Sequence, residues 1–205
     1  MATTCLPLFH KPPPRAGDCE TVVIFGMTRG GTSMVAGAVR GFGYHLGEAL
    51  LVNLEDQDFV YKTDEQMKET IRNRNEAHGL WGWKYPIATE YLDRLLPYLR
   101  NPVFIVVTRD LTATAAALTR WDDRDQAGAL SEAIIQSQRN LTLVIRHRLP
   151  TLYVSYEKAS LDTNLFLTEL ECFLGRPLVV ERERLLRFMA PGSYKSYETV
   201  VLSPE

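Results

Sequence analysis

Thr21-Val22-Val23-Ile24-Phe25-Gly26-Met27-Thr28-Arg29-Gly30-Gly31-Thr32-Ser33 carries most of the information in this chain. A run of β-branched and apolar residues leads straight into a glycine. A cation, two more glycines and two hydroxyls follow, and then an apolar-periodic segment, Met34-Val35-Ala36-Gly37-Ala38-Val39. That order predicts a buried strand, a tight loop and the start of a helix. Glycines let backbone N–H groups approach an anion closely, and a helix start adds unpaired donors and a favourable dipole. The loop is therefore expected to cradle a phosphate-like group.

Its spacing nearly fits the nucleotide-hydrolase pattern G-x-x-x-x-G-K-S/T. Gly26 and Gly31 fill the glycine positions and Ser33 the hydroxyl, but Thr32 stands where the lysine belongs, and the cation has moved inward to Arg29. Without that lysine the pattern argues against a triphosphate.

The chain has 205 residues and a net charge of −2. That length suits one α/β domain, and the charge lacks the basic excess of a nucleic-acid binder. No apolar run approaches the ~18 residues of a membrane span. Residues 1–19, with Pro12-Pro13-Pro14, lack a secretory core and read as a tail before a single domain over 20–205. Cys5, Cys19 and Cys172 are odd in number and, like the four scattered histidines, show no metal-ligand spacing. The expectation is a reducing cytoplasm and no metal.

Strand-like runs alternate with helical stretches, which predicts a three-layer α/β/α fold around a parallel sheet. Strands are expected at Thr21–Phe25, Leu80–Trp83, Val103–Val107 and Thr151–Ser155. Helices are expected at about Thr32–Gly41, Asp56–Ala77, Ala88–Leu99, Leu111–Arg120, Ala127–Arg148, Leu161–Leu174 and Glu181–Met189. Ligands of such sheets bind beyond the carboxyl ends of the strands. Gly26–Ser33, Lys84, Arg109 and Glu157 all follow strands.

Arg29-Gly30-Gly31-Thr32-Ser33 resembles the 5′-phosphosulfate loop of sulfotransferases, R/K-x-G-T-S/T. The resemblance extends over roughly residues 21–176. Thr108-Arg109-Asp110 resembles the family's strand-end R-D/N-P, although Leu111 replaces the proline. Trp81-Gly82-Trp83-Lys84-Tyr85-Pro86 resembles W-G-W-K-D/E-P, with Tyr85 in place of the acid. Leu46-Gly47-Glu48 and Asn53-Leu54-Glu55-Asp56-Gln57-Asp58-Phe59 resemble a further family segment, and Tyr156-Glu157 and Phe173-Leu174-Gly175 follow in order.

The resemblance implies a P-loop-like fold and transfer of a sulfuryl group from 3′-phosphoadenosine 5′-phosphosulfate (PAPS), leaving 3′,5′-ADP (PAP). It implies that Thr28, Arg29, Gly30, Gly31, Thr32 and Ser33 hold the 5′-phosphosulfate and Arg109 the 3′-phosphate. The serine usual eight residues after that arginine is Ala117 here, with Thr112 and Thr114 as nearby hydroxyls. Ser193, Tyr194 and Lys195 are the candidates for the late segment over the nucleotide. Lys84 would meet the bridging oxygen on which charge builds as the S–O bond breaks. Glu55, His45 and Glu48 are the candidate bases. The acceptor would be a small molecule, sugar or lipid hydroxyl or amine, bordered by Phe42–Arg74 and Trp121–Ala129. Phe59, Tyr61 and Trp121 are candidate ring contacts. Two rivals are a P-loop kinase and a non-catalytic nucleotide-binding relative.

Overall fold

Seven consecutive residues, Glu20–Gly26, are buried without interruption, as expected of a central strand covered on both faces. The computed structural model describes residues 3–13, 19–122, 125–192 and 195–202. It comprises β1 (Cys5–Leu8), β2 (Glu20–Gly26), α1 (Thr32–Gly41), α2 (Asp64–Ala77), β3 (Leu80–Lys84), α3 (Leu92–Leu95), β4 (Pro102–Thr108), α4 (Leu111–Asp122), α5 (Gln126–His147), β5 (Thr151–Ser155), α6 (Tyr156–Leu161), α7 (Thr163–Leu174) and α8 (Arg182–Met189). The sheet order is β1-β5-β4-β2-β3.

Strands β3, β2, β4 and β5 run parallel, with Ile24 opposite both Lys84 and Ile105. The period-2 alternation splits their side chains between two cores. Val22, Ile24, Ile105 and Val154 pack with Val35, Phe166 and Leu185 on one face. Val23, Phe25, Phe104 and Val106 pack with Trp83, Ile71 and Val144 on the other. Helices thus cover both sides, giving three α/β/α layers. The chain leaves β2 for β3 on one side, then crosses to β4 on the other. The carboxyl end of β2 is therefore a topological switch point, where such sheets open a crevice.

Several elements differ from the sequence reading. Cys5–Leu8, expected in a tail, form an antiparallel edge strand on β5, so the sheet is not wholly parallel. Glu169 of α7 holds this strand by accepting from the backbone N–H of Thr4 at 2.9 Å and of Cys5 at 3.0 Å. The helix expected over 88–99 breaks into a short α3 flanked by 3-10 turns, with Pro97 in the first turn of the second. Asp162 separates α6 from α7, its side chain capping the Leu165 N–H at 2.9 Å. A helical turn at Gln57–Phe59 and an extended stretch precede α2, which starts later than expected, at a Thr63–Gln66 capping box.

Candidate active site

The glycine loop joins β2 to α1 at the switch point. Arg29 takes a left-handed backbone (φ 62°), and so does Gly31 (φ 87°). Gly31 is the residue before α1, and no side chain caps the helix there. The Met34 N–H donates to the Gly31 carbonyl at 3.1 Å, and the N–H groups before it open a helix N-terminus, a position that suits an anion. A Cβ on Gly31 would stand 2.0 Å from Cδ2 of Tyr156. The Tyr156 ring supports the loop, and the Arg109 guanidinium lies over the same ring, 5.2 Å from its centroid. Arg109 also donates to the Arg29 carbonyl oxygen at 2.9 Å. The Asp110 N–H donates to Glu157 at 3.0 Å, which fixes the start of α4 against α6.

From the opposite side, α5 reaches the loop through Gln136. Its side-chain oxygen accepts from the Thr28 N–H at 2.8 Å, and its amide nitrogen donates to the Thr28 hydroxyl at 3.2 Å. Gln136 was not among the sequence candidates for loop contacts, whereas Tyr156, with Glu157, was expected from the sequence to brace the nucleotide side. A lone glutamine within an amphipathic helix gives no signal beyond its buried position.

Lys84 ends β3 and is 1% exposed. Its ammonium donates to Glu55 at 2.9 Å. Burial pushes its pKa below the ordinary lysine value, Glu55 opposes that shift, and the positive charge of Arg29 adds to it. Lys84 and Arg29 thus share one electrostatic neighbourhood, where two cations favour an anion between them.

The strand before Lys84 is held by an aromatic stack. Phe59 lies flat on Trp83 (4.1 Å, 7°), and the Trp83 indole N–H donates to the Tyr91 hydroxyl at 3.0 Å. Gly82, between the tryptophans, is required because a Cβ there would meet the Val22 carbonyl oxygen at 1.9 Å.

The segment that carries Glu55 is anchored from below. Asp56 is fully buried, pairs with Arg74 and accepts from the Asp58 N–H at 3.1 Å. Arg74 also reaches Asp58 at 2.9 Å. Leu54 takes a left-handed backbone (φ 62°), a conformation that costs about 1–3 kcal/mol and that the surrounding contacts hold.

Of the three candidate bases, Glu55 is the one that meets Lys84. His45 bridges to Trp81, three residues earlier on β3, or about 10 Å along the strand. Glu48 lies 3.5 Å from His45. The register of β3 therefore puts both at the other end of the sheet. Burial, and then the neighbouring His78, lower the pKa of His45.

Thr32 is buried and Ser33 half-buried in the first turn of α1. Ala117 is buried on α4, where Thr114 is also buried with a hydroxyl that has no hydrogen-bond partner. Lys195 does not join the loop. Its ammonium donates to the carbonyls of Arg187 at 2.9 Å and Ala190 at 2.7 Å, at the carboxyl end of α8, where the helix dipole favours a cation. Ser193 and Tyr194 lie outside the described residues. Of the candidate ring contacts, Phe59 is core, whereas Tyr61 and Trp121 are exposed. No helix among the described residues is long and apolar enough to cross a membrane.

No family model matches the sequence, and no curated protein matches it. Solved structures do. The sulfotransferase domain of the Synechococcus PCC 7002 olefin synthase superposes with a TM-score of 0.58 at 17% identity, over 90% of this chain and 80% of that domain. The mouse sulfotransferase SULT7A1, solved in complex with PAP, superposes with a TM-score of 0.56 at 14% identity, over 87% of this chain and 66% of the mouse protein. The strand order, the glycine loop at the switch point and these superpositions together identify the architecture as a sulfotransferase-type fold.

Proposed function

We propose that this chain is a sulfotransferase that moves a sulfuryl group from PAPS to a hydroxyl or amine of a small-molecule, sugar or lipid acceptor. The observation that carries the reading is the Lys84–Glu55 pair, 2.9 Å apart at the end of β3 and within the field of Arg29 on the glycine loop. The PAP in the mouse structure agrees with such a donor.

In this reading the loop amides and Arg29 hold the 5′-phosphosulfate, and Arg109 takes the 3′-phosphate. The acceptor oxygen attacks sulfur in line. Its proton passes to the Glu55 carboxylate as the new S–O bond forms. The bond from sulfur to the bridging oxygen breaks, and the charge left on that oxygen is met by Lys84. A fixed cation there stabilises the transition state more than the ground state. In the resting protein, Glu55 opposes the burial that lowers the Lys84 pKa and so favours the charged ammonium. Thr28 is held by Gln136, so the loop is pre-organised before nucleotide arrives.

The test is calorimetric titration with PAP, 5′-AMP and ATP–Mg²⁺, joined to a sulfuryl-transfer screen with labelled PAPS. Preference for PAP and label transfer to an acceptor are expected. A preference for ATP–Mg²⁺ would favour phosphoryl transfer, and PAP binding without transfer to any acceptor class would favour a binding protein.

A further inference from the structure

Three metal-ligating side chains converge at the amino end of β3, the end of the strand away from Lys84. His45 lies on the connection after α1, His78 is the residue that ends α2, and Glu48 follows His45 by three residues. Their candidate ligand atoms all lie within 4.8 Å of one another. The two imidazoles stack with centroids 3.9 Å apart and planes 11° apart, so their in-plane lone pairs run side by side and sharing an ion requires the His78 ring to turn out of the stack. His45 Nε2 is buried and makes no hydrogen bond, although Glu48 Oε1 is 3.5 Å away. A buried ring nitrogen without a partner is uncommon and calls for an explanation.

We propose that His45, His78 and Glu48 form a binding site for a divalent transition ion of the zinc class. Two ligand atoms bound about 2.0–2.1 Å from a tetrahedral zinc stand about 3.4 Å apart. The 3.5 Å between His45 Nε2 and Glu48 Oε1 already meets that spacing. Imidazole nitrogens with one carboxylate suit zinc and its neighbours rather than magnesium or calcium, which prefer all-oxygen sites. Three protein ligands leave a fourth position to water.

The frame is fixed at both histidines. His45 uses its backbone N–H and carbonyl on Leu80 and Gly82, at 3.1 and 2.9 Å. The His78 N–H donates to Arg74 at 2.9 Å. Arg74, a cation in the same neighbourhood, is neutralised by Asp56 and Asp58. The mobile partners are Glu48, whose side chain is 84% exposed, and the half-buried ring of His78, whose backbone alone is held. Binding would therefore pin the start of the 48–55 segment to the α2–β3 junction. The ion would act as a strap on the segment that carries Glu55, at a distance from the glycine loop.

The experiment uses untagged protein, stripped with chelator and titrated with Co²⁺ and then Zn²⁺. One equivalent of cobalt should bind with the visible absorption of a four-coordinate site, and zinc should displace it. Zinc at about 100 times its Kd should raise the Tm by about 5–10 °C, and Mg²⁺ should not. Glu48→Ala, at an exposed position that folding does not need, should weaken binding at least tenfold. His78→Gln, checked for folding by circular dichroism, should abolish it. No saturable binding, or unchanged affinity in Glu48→Ala, overturns the site. Neither measurement involves sulfuryl transfer, so the outcome is independent of that reading.

Discussion

Arg109, at the end of β4, donates to the carbonyl oxygen of Arg29, at the crest of the glycine loop, at 2.9 Å. The contact joins two strands' worth of cations into one unit. Arg29 is held in a left-handed conformation, and its carbonyl is the acceptor that Arg109 uses to fix its own guanidinium over Tyr156.

If Arg109 takes the 3′-phosphate, Arg109→Ala should remove the preference for PAP over 5′-AMP. Charge-assisted hydrogen bonds contribute about 1.5–3 kcal/mol, or roughly 10- to 150-fold in Kd. Because Arg109 also steadies the loop, a smaller loss should appear with 5′-AMP. Calorimetry with both nucleotides separates the two effects.

Lys84→Ala should lower kcat by about 10²–10³-fold and should also weaken PAP binding. The oxygen that bridges to sulfur in PAPS stays on PAP as a terminal 5′-phosphate oxygen, so the same lysine also meets the product. Near-normal turnover in this variant would remove Lys84 from the mechanism even if PAPS proves to be the donor.

The same lysine sets an alkaline limit. Its folded pKa lies below the ordinary 10.5, chiefly through burial. Only the charged form can neutralise the leaving oxygen, so kcat should fall as pH rises through that lowered value. Between it and 10.5, the unfolded chain binds more protons, so the lysine's contribution to stability rises with pH. Lys84→Arg should remove this limb from the kcat profile, whatever its effect on the plateau.

Gly31→Ala should destabilise the protein by at least the ~1–3 kcal/mol of a strained left-handed residue, because the new Cβ also meets Tyr156 at 2.0 Å. Urea unfolding measures the loss. In a Tyr156→Ala background the clash is gone and only the backbone strain remains, so the two changes should be non-additive.

Glu169→Gln should release β1, raising amide exchange at residues 5–8 at a cost of about 1.5–3 kcal/mol at most. Burial alone would raise the Glu169 pKa, but hydrogen bonds from Thr3, Thr4 and Cys5 outweigh it and the net shift is downward. The anchoring is therefore fully present above the ordinary value of 4.5 and is lost as pH falls through the lower folded value. Protection factors at those amides, corrected for the intrinsic pH dependence of exchange, should fall in acid in the parent protein and stay flat in Glu169→Gln.

Strands β2 and β4 were legible because full burial on both faces demands unbroken apolar runs, and the glycine loop because its backbone conformation demands glycine. Lys84 and Arg109 could be read as strand-end cations from their neighbours alone. What could not be read depended on partners distant in sequence. Cys5–Leu8 is four residues long, contains Pro7 and is held by Glu169. His45 meets His78 only because β3 falls in one register, and that register places His45 and Glu48 away from Lys84. The helix break at Pro97 was masked by a periodicity that continued across it, and the short α6 (Tyr156–Leu161) was not expected.

Asp56 and Arg74 lock the backbone beside Glu55 from the core side, with Asp58 as the second partner of Arg74. The neighbouring exposed positions, such as Val52 and Tyr61, bear none of that anchoring. They can be exchanged for other side chains without displacing the carboxylate. Under the proposed function, with Glu55 as the base, recognition at the exposed positions would be separate from the placement of the carboxylate, the condition under which specificity can drift, or be redesigned, on a fixed frame.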